Sequence, residues 1–395
     1  GHRPNGYIGF SVDLSEHLSY GGENLIAVQL TPEDLSSRWY PGAGIYRNTW
    51  LEINNPVHVA KWGTFITTPV ITNELANINI QTEIENTTSV NKTITIQTLI
   101  FSRENKELSS VSETISVNKN EISIINQSTE IVNPKLWGLQ SPYLYRAETK
   151  LFEKGNLIDT YNTSFGVRTI NYGSEFGFKL NGEPTRFQGV CLHHDLGPLG
   201  TAVNRRATER QLEIMQDMGV NAIRTSHNPP SPEQVRLCDE MGLMIQIEAF
   251  DMWEKPKVEN GYSKFFNEWH EQDLRDMIRA FRNSPSVVMW SIGNEILEQS
   301  DKINGERIAN ELAMICQKED PTRPTTAGFN YYPAPIKNGL ASAIDLVGWN
   351  YKPRKYAEIT EQHPNWVIYG SETSSTVSSR GVYSFFLVYP LRLAV

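Results

Sequence analysis

Between residues 56 and 170 apolar positions skip across polar ones: Ile78, Ile80 and Ile84, then Ile94 and Ile96, then Ile122 and Ile124, with Thr and Asn on the other face. A period of two marks half-buried strands. Roughly seven such segments, separated by turn residues, predict a β-sandwich of immunoglobulin-like type. Upstream, residues 1–55 give shorter extended patterns. Val28 and Leu30 alternate with polar neighbours there, and Trp50 and Ile53 do so less cleanly. A stretch this short cannot enclose its own core, so it reads as part of a larger β-domain.

From residue 171 the rhythm becomes strand, helix, strand, helix. Apolar runs predict strands over 186–192, 220–225, 243–248, 287–292, 325–328, 346–350 and 366–369, with helices over 208–218, 231–241 and 264–281. The middle helix has a clear start, since Ser231 can cap it and Pro232 suits its first position. Such alternation predicts parallel strands with crossover helices. No GxGxxG or GxxxxGK[ST] follows any strand, which takes the main support from a nucleotide-binding sheet and favours a (β/α)8 barrel. A barrel needs eight strands. The eighth would fall beyond Ser379, where GVYSFFLVYPLRLAV closes the sequence, and a truncation or frame disruption near Tyr383 is expected.

The formal net charge of −9 and the lack of any Lys/Arg-rich run disfavour nucleic acid as a partner. No apolar stretch approaches the ~20 residues that span a membrane. Cys191, Cys238 and Cys316 are far apart and form no CxxC, so neither a zinc site nor a disulfide framework is expected, and three buried thiols are the default. Four Asn-x-Ser/Thr matches, at Asn86, Asn91, Asn126 and Asn162, are what chance gives in a stretch this rich in Asn and Thr. The opening GHRPNGYIGF has neither Met nor a leader pattern, and the compartment stays open.

In a parallel barrel chemistry gathers where strands end at the C-terminal face. Those ends carry His193, His194 and Asp195; Ser226, His227 and Asn228; Glu248, Asp251 and Trp253; Asn294 and Glu295; Trp349, Asn350 and Tyr351; and Glu372. Two carboxylates stand out. Glu295 follows an apolar run, VVMWSIGN, expected to be buried on both faces, and partial desolvation disfavours a charged carboxylate, as a general acid requires. Glu372 ends WVIYGSE about three strands onward. Across one pocket at ~5–5.5 Å they would form a retaining pair, Glu372 attacking the anomeric carbon and Glu295 serving as acid and then base. His193, His194 and His227 raise a rival, a metallohydrolase. Adjacent His193 and His194 diverge on an extended strand, and the first strand lacks an HxH. Hydrogen bonding to sugar hydroxyls is the better role, and no metal ligand is assigned.

Together these stretches resemble glycoside hydrolase family 2, most of all its bacterial β-galactosidase branch. They are GAGIYRNTWL at 42–51, LWGLQSPYLY at 136–145, SFGVRT at 164–169, NGEPTRFQGVCLHHD at 181–195, MGVNAIRTSHNPP at 218–230, EAFDMW at 248–253, RNSPSVVMWSIGNE at 282–295 and GSETSS at 370–375. The resemblance implies a multidomain β and α/β chain. Residues 1–55 would end a sugar-binding jelly roll, 56–170 form the sandwich, and 171–395 form a (β/α)8 TIM barrel lacking its last strand. It implies Glu295 as acid/base, Glu372 as nucleophile and Asn294 as the residue that binds the 2-hydroxyl. Arg224 and His227 would line the sugar subsite, His194 would face substrate and Tyr351 would orient the nucleophile. Glu248 and Trp349 complete the expected sugar-binding set.

The activity so implied is release of terminal β-D-galactose with retention. β-Glucuronidase and β-mannosidase are alternatives within the family, and an inactive carbohydrate-binding fragment is the alternative outside it. No cofactor is needed. Family members often form homo-oligomers, and some hold structural Mg2+ or Na+, for which no residue here can be matched. Periplasm or cytoplasm of a bacterium is the expected compartment. Ile247 stands where the family usually has Asp, and Arg38 stands near an Asp of the jelly-roll element that reaches the galactose site.

Overall fold

The computed structural model describes residues 1–39 and 44–375. Seven antiparallel strands come first: β1 (Val57–Thr67), β2 (Leu75–Asn86), β3 (Lys92–Phe101), β4 (Glu107–Val117), β5 (Glu121–Val132), β6 (Tyr145–Glu153) and β7 (Asn156–Phe165). They form two sheets, ordered β1-β2-β5 and β4-β3-β6-β7. Ile78, Ile80 and Ile84 from one sheet and Ile94 and Ile96 from the other are buried within them. Ile122 and Ile124 lie on a strand as expected but face outward, 53% and 56% exposed, while Gln127 and Ile131 of β5 turn inward. Their alternation was correct and its phase was not.

A small antiparallel sheet, β8 (Ile170–Gly173), β9 (Gly177–Leu180) and β10 (Glu183–Pro184), leads into the barrel. There β11 (Gly189–Leu192), β12 (Ala222–Thr225), β13 (Met244–Glu248), β14 (Val287–Asn294), β15 (Thr325–Phe329), β16 (Leu346–Asn350) and β17 (Val367–Glu372) lie parallel and in sequence order. Strands β12 to β16 are buried along their whole length, so they read as apolar runs rather than alternations. Helices α1 (Arg205–Asp217), α2 (Pro232–Met241), α3 (Phe266–Phe281) and α4 (Asn304–Glu319) connect them. Ser231 caps α2 by accepting from the Gln234 amide at 3.2 Å. Cys238 and Cys316 are buried, whereas Cys191 is exposed on β11, a strand paired only with β12 among the described residues. The expected eighth strand and the sequence past Ser379 lie outside the described residues. No helix among the described residues is long and apolar enough to cross a membrane.

Family-like stretches away from the strand ends join sandwich to barrel. Asn283 receives the Ile66 amide at 2.8 Å and donates to the Thr64 carbonyl at 2.7 Å. Trp137 is fully buried, with its indole N–H on the Asp239 carbonyl at 2.8 Å. Arg168 donates to the carbonyls of Pro285 and Val287, both at 2.7 Å.

Residues 1–55 depart from expectation. Their described part contains one 3-10 turn, Ser15–His17, and no strand. Val28, Leu30, Trp50 and Ile53 are 49–88% exposed. A strand needs a neighbour for its backbone groups and for its apolar face, and none stands beside them among the described residues. The segment is instead pinned to the barrel by side chains. Arg3 bridges Asp273 and Asp276 of α3 at 2.7 and 2.6 Å, and Arg47 donates to the Pro229 carbonyl at 2.8 Å.

Candidate active site

β17 carries Glu372 to the end of the sheet, where its two oxygens are treated differently. Oε1 receives Arg224 Nη1 at 2.6 Å, and His227 Nε2 stands 3.5 Å away. Oε2 receives the Tyr351 hydroxyl, which Ser375 Oγ also reaches at 3.1 Å. Burial and then the Glu372 carboxylate push the Tyr351 hydroxyl up to about 12, so it stays a donor across the neutral range.

Beneath this group, Glu248 is wholly buried. Its Oε2 accepts from Arg224 Nη2 and Ser291 Oγ, both at 2.7 Å, and from Arg224 Nε at 3.1 Å; its Oε1 lies 2.7 Å from His227 Nδ1. Burial alone would raise a carboxyl, but the Arg224 charge and the hydrogen bonds from His227 and Ser291 together outweigh it and leave Glu248 below its ordinary range. The same exchange holds Arg224 well above its own usual value despite its burial.

On the other side, β14 runs buried through Asn294 and the chain turns left-handed at Glu295, with φ of 44°. That conformation costs a non-glycine residue about 1 kcal/mol, and the Glu295 amide donates to the Gly328 carbonyl at 2.7 Å to hold it. Asn350 Nδ2 donates to Glu295 Oε1 at 3.0 Å and to Asn294 Oδ1 at 3.1 Å, while Ser371 Oγ donates to Asn350 Oδ1 at 2.6 Å. Arg224 Nη2 reaches Asn294 Oδ1 at 2.9 Å and so ties the two carboxylates' surroundings together. A Cβ on Gly328 would come within 3.0 Å of Asn350 and 3.1 Å of Arg224, so glycine keeps this junction open.

Asn294 is steered by a third carboxylate. Its Nδ2 donates to Asp251 Oδ1 at 3.0 Å, and Lys257 Nζ spans Asp251 Oδ1 at 3.0 Å and the Asn294 carbonyl at 2.6 Å. Arg38 binds Asp251 with two nitrogens, at 2.8 and 2.5 Å. Burial would raise Asp251, but the Arg38 hydrogen bond and the Lys257 charge bring it well below the usual carboxylate range. Beside Arg38, Trp39 packs against His193 and His227 with centroids 5.2 and 5.6 Å apart. Among the described residues no group of three or more His, Cys, Asp or Glu is arranged to hold a metal ion.

Residues 174–367 match the description "Glycosyl hydrolases family 2, TIM barrel domain", and residues 57–168 match "Glycosyl hydrolases family 2". The chain belongs to glycoside hydrolase family 2. It is 38% identical to a β-galactosidase of Bacteroides ovatus over 97% of its own length and 49% of that protein. It is 36% identical to a putative β-glucuronidase of Formosa agariphila over 97% of its length and 35% of that one. A solved family 2 structure from Bacteroides cellulosilyticus superposes with a TM-score of 0.90 at 37% identity, covering 93% of this chain and 47% of that one. This family 2 chain thus spans about half the length of the relatives named, or less.

Of the residues expected at the site, the fold gathers Arg224, His227, Asn294, Glu295, Tyr351 and Glu372. Glu248 is there too, but wholly buried beneath Arg224 and His227. Trp349 is elsewhere: fully buried between sheet and helices, edge-on to Phe329 and Tyr332 at 6.0 and 5.7 Å. Adjacent residues of a strand point to opposite faces, so Asn350 at the pocket sends Trp349 away from it. The two histidines, just past the end of β11, also part. His193 turns toward His227, while His194 packs on Tyr7 with centroids 4.7 Å apart. Burial, and then Arg47, lower His194 to about 4. Sequence reasoning gave no role to Ser291, Lys257 or Ser371. Ser291 was legible as a polar residue inside the run VVMWSIGN. The partnership of Lys257 and Arg38 with Asp251 left no local signal.

Proposed function

We propose that this chain carries the active site of a retaining exo-β-glycosidase, with a terminal β-galactoside as the substrate class best supported. The observation that carries the reading is the unlike treatment of two glutamates linked through Arg224, Asn294 and Asn350. Glu372 is met by a buried arginine and a tyrosine hydroxyl, and Glu295 by an asparagine amide. Glu372 then attacks the anomeric carbon as Glu295 protonates the departing oxygen. A glycosyl ester on Glu372 results, and Glu295 deprotonates the water that releases the sugar. Asn294 offers its amide to the sugar 2-hydroxyl.

Galactose is supported by the likeness to the Bacteroides ovatus β-galactosidase. A second reading, hydrolysis of β-glucuronides, is favoured by Arg38 and Lys257, two cations around the single Asp251 carboxylate, and by the likeness to a putative β-glucuronidase. Turnover of aryl β-galactoside against aryl β-glucuronide decides between them. Glu372→Gln should lower kcat by at least about 10³-fold, and azide should rescue Glu295→Ala to a glycosyl azide of retained configuration. Full activity of Glu372→Gln would remove the nucleophile assignment. Loss of activity in EDTA with both variants active would favour a metallohydrolase.

A further inference from the structure

Glu248 lies too deep to meet a sugar, yet both of its oxygens are bonded to groups that continue to Glu372. Arg224 runs from Glu248 Oε2 at 2.7 Å to Glu372 Oε1 at 2.6 Å. His227 runs from Glu248 Oε1 at 2.7 Å to within 3.5 Å of the same Glu372 oxygen. An ionised carboxylate only accepts. Glu248 therefore accepts from the Nδ1–H of His227, which sets the ring so that Nε2 is the nitrogen facing Glu372. It also takes two edges of the Arg224 fork, leaving Nη1 aimed at Glu372. Ser291 Oγ donates to Glu248 at 2.7 Å, and the Glu248 amide donates to Thr225 Oγ1 at 3.0 Å, so side chain and backbone are both fixed. Burying a carboxylate is costly before its partners offset it, and a merely space-filling role would not require one.

We infer that Glu248 is the positioning residue of the nucleophile. Acting through Arg224, with the His227 ring fixed beside it, it holds Oε1 of Glu372 in place and leaves Oε2, beside the Tyr351 hydroxyl, as the oxygen that bonds the anomeric carbon. In that step an Oε2 lone pair forms the new C–O bond while the bond to the leaving oxygen breaks and that oxygen takes the Glu295 proton. Oε1 becomes the ester carbonyl and keeps its Arg224 contact. The inference rests on the retaining mechanism proposed above.

The test uses the full-length protein and aryl β-glycosides, of whichever sugar it turns over, graded in leaving-group acidity. Glu248→Gln should lower kcat/KM by one common factor, about 100-fold, whatever the leaving group, because it disturbs the attacking group alone. Ser291→Ala, which withdraws one donor and keeps the charge, should show the same flat pattern at about 3- to 10-fold. It carries the test if Glu248→Gln does not fold. A loss that steepens toward poor leaving groups would mean that Glu295 is disturbed as well, and would overturn the positioning role, as would wild-type rates in both variants. Inversion by the wild type, or an active Glu372→Gln, would instead defeat the retaining mechanism, so the two failures are distinguishable.

Discussion

Glu372 and Glu295 both stand at C-terminal strand ends of the barrel but rest on different foundations. Among the described residues, the side chains hydrogen-bonded to Glu372 come from the barrel, and behind them lies one wholly buried carboxylate, Glu248. Glu295 is reached through Asn350, and its neighbour Asn294 is steered by Asp251, whose partners include Arg38 from a segment without strands. The Glu372 half therefore rests on a buried network beneath it, although its Tyr351 contact is 39% exposed. The Glu295 half is assembled from two parts of the chain, and its support opens to solvent at Arg38, whose side chain is 34% exposed. Buried networks fail together, whereas half-exposed ones lose strength by degrees.

The largest expected effect breaks the buried network. Arg224→Met removes the cation shared by Glu248, Glu372 and Asn294 and leaves Glu248 charged and buried with His227 and Ser291 for company. Removing one partner of a buried pair costs about 3–5 kcal/mol, and urea titration would read it as a lowered midpoint. A loss below about 1 kcal/mol would show that the pocket admits water and that the contrast between the halves is false.

Asp251→Asn tests the open half. It loses the ion pairs to Arg38 and Lys257, and the expected cost at pH 7 is about 2 kcal/mol, since the carboxylate accepts charge-assisted bonds. Asp251 is held below the range of an unfolded aspartate, near 3.9. Its contribution is therefore complete above that pH and disappears as pH falls through the lower folded value. Thermal melts of the variant and wild type should differ at pH 7 and converge below about pH 4. Activity should fall more for substrates with poor leaving groups, because Asn294 and Glu295 are displaced together. A flat dependence would mean that Asp251 serves the Glu372 half too.

Much of this was legible in the sequence, for a physical reason. Buried parallel strands read as apolar runs, and a polar residue at their C-terminal ends has few structural excuses, so Asn294, Glu295 and Glu372 were visible at once. Face was harder. Ile122 with Ile124, His193 with His194, and Trp349 with Asn350 each required knowing which of two sides a strand turns inward, and periodicity leaves that phase free. Depth was harder again, since Glu248 carries the same strand-end signature as a substrate ligand and only the packing above it shows that it is buried. The strands expected at Val28 and Trp50 failed because a strand is a property of pairs.

The smallest effect expected comes from Trp349, which sits one residue from Asn350 and two from Tyr351, and so beside one contact of each half. Its indole fills space between sheet and helices, but its Nε1 is buried without a hydrogen-bond partner among the described residues. Trp349→Phe leaves a cavity, which costs stability, and also removes an unpaired buried donor, which restores some of it. The net should be about 1 kcal/mol, read as a small drop in Tm. kcat and KM should stay within about threefold of wild type for good and poor leaving groups alike. A sharply raised KM would place the indole at the sugar after all. A leaving-group dependence would show that β16 tilts when its outer face is underpacked, moving Asn350 and Tyr351 together, and the two halves would then be one mechanical unit.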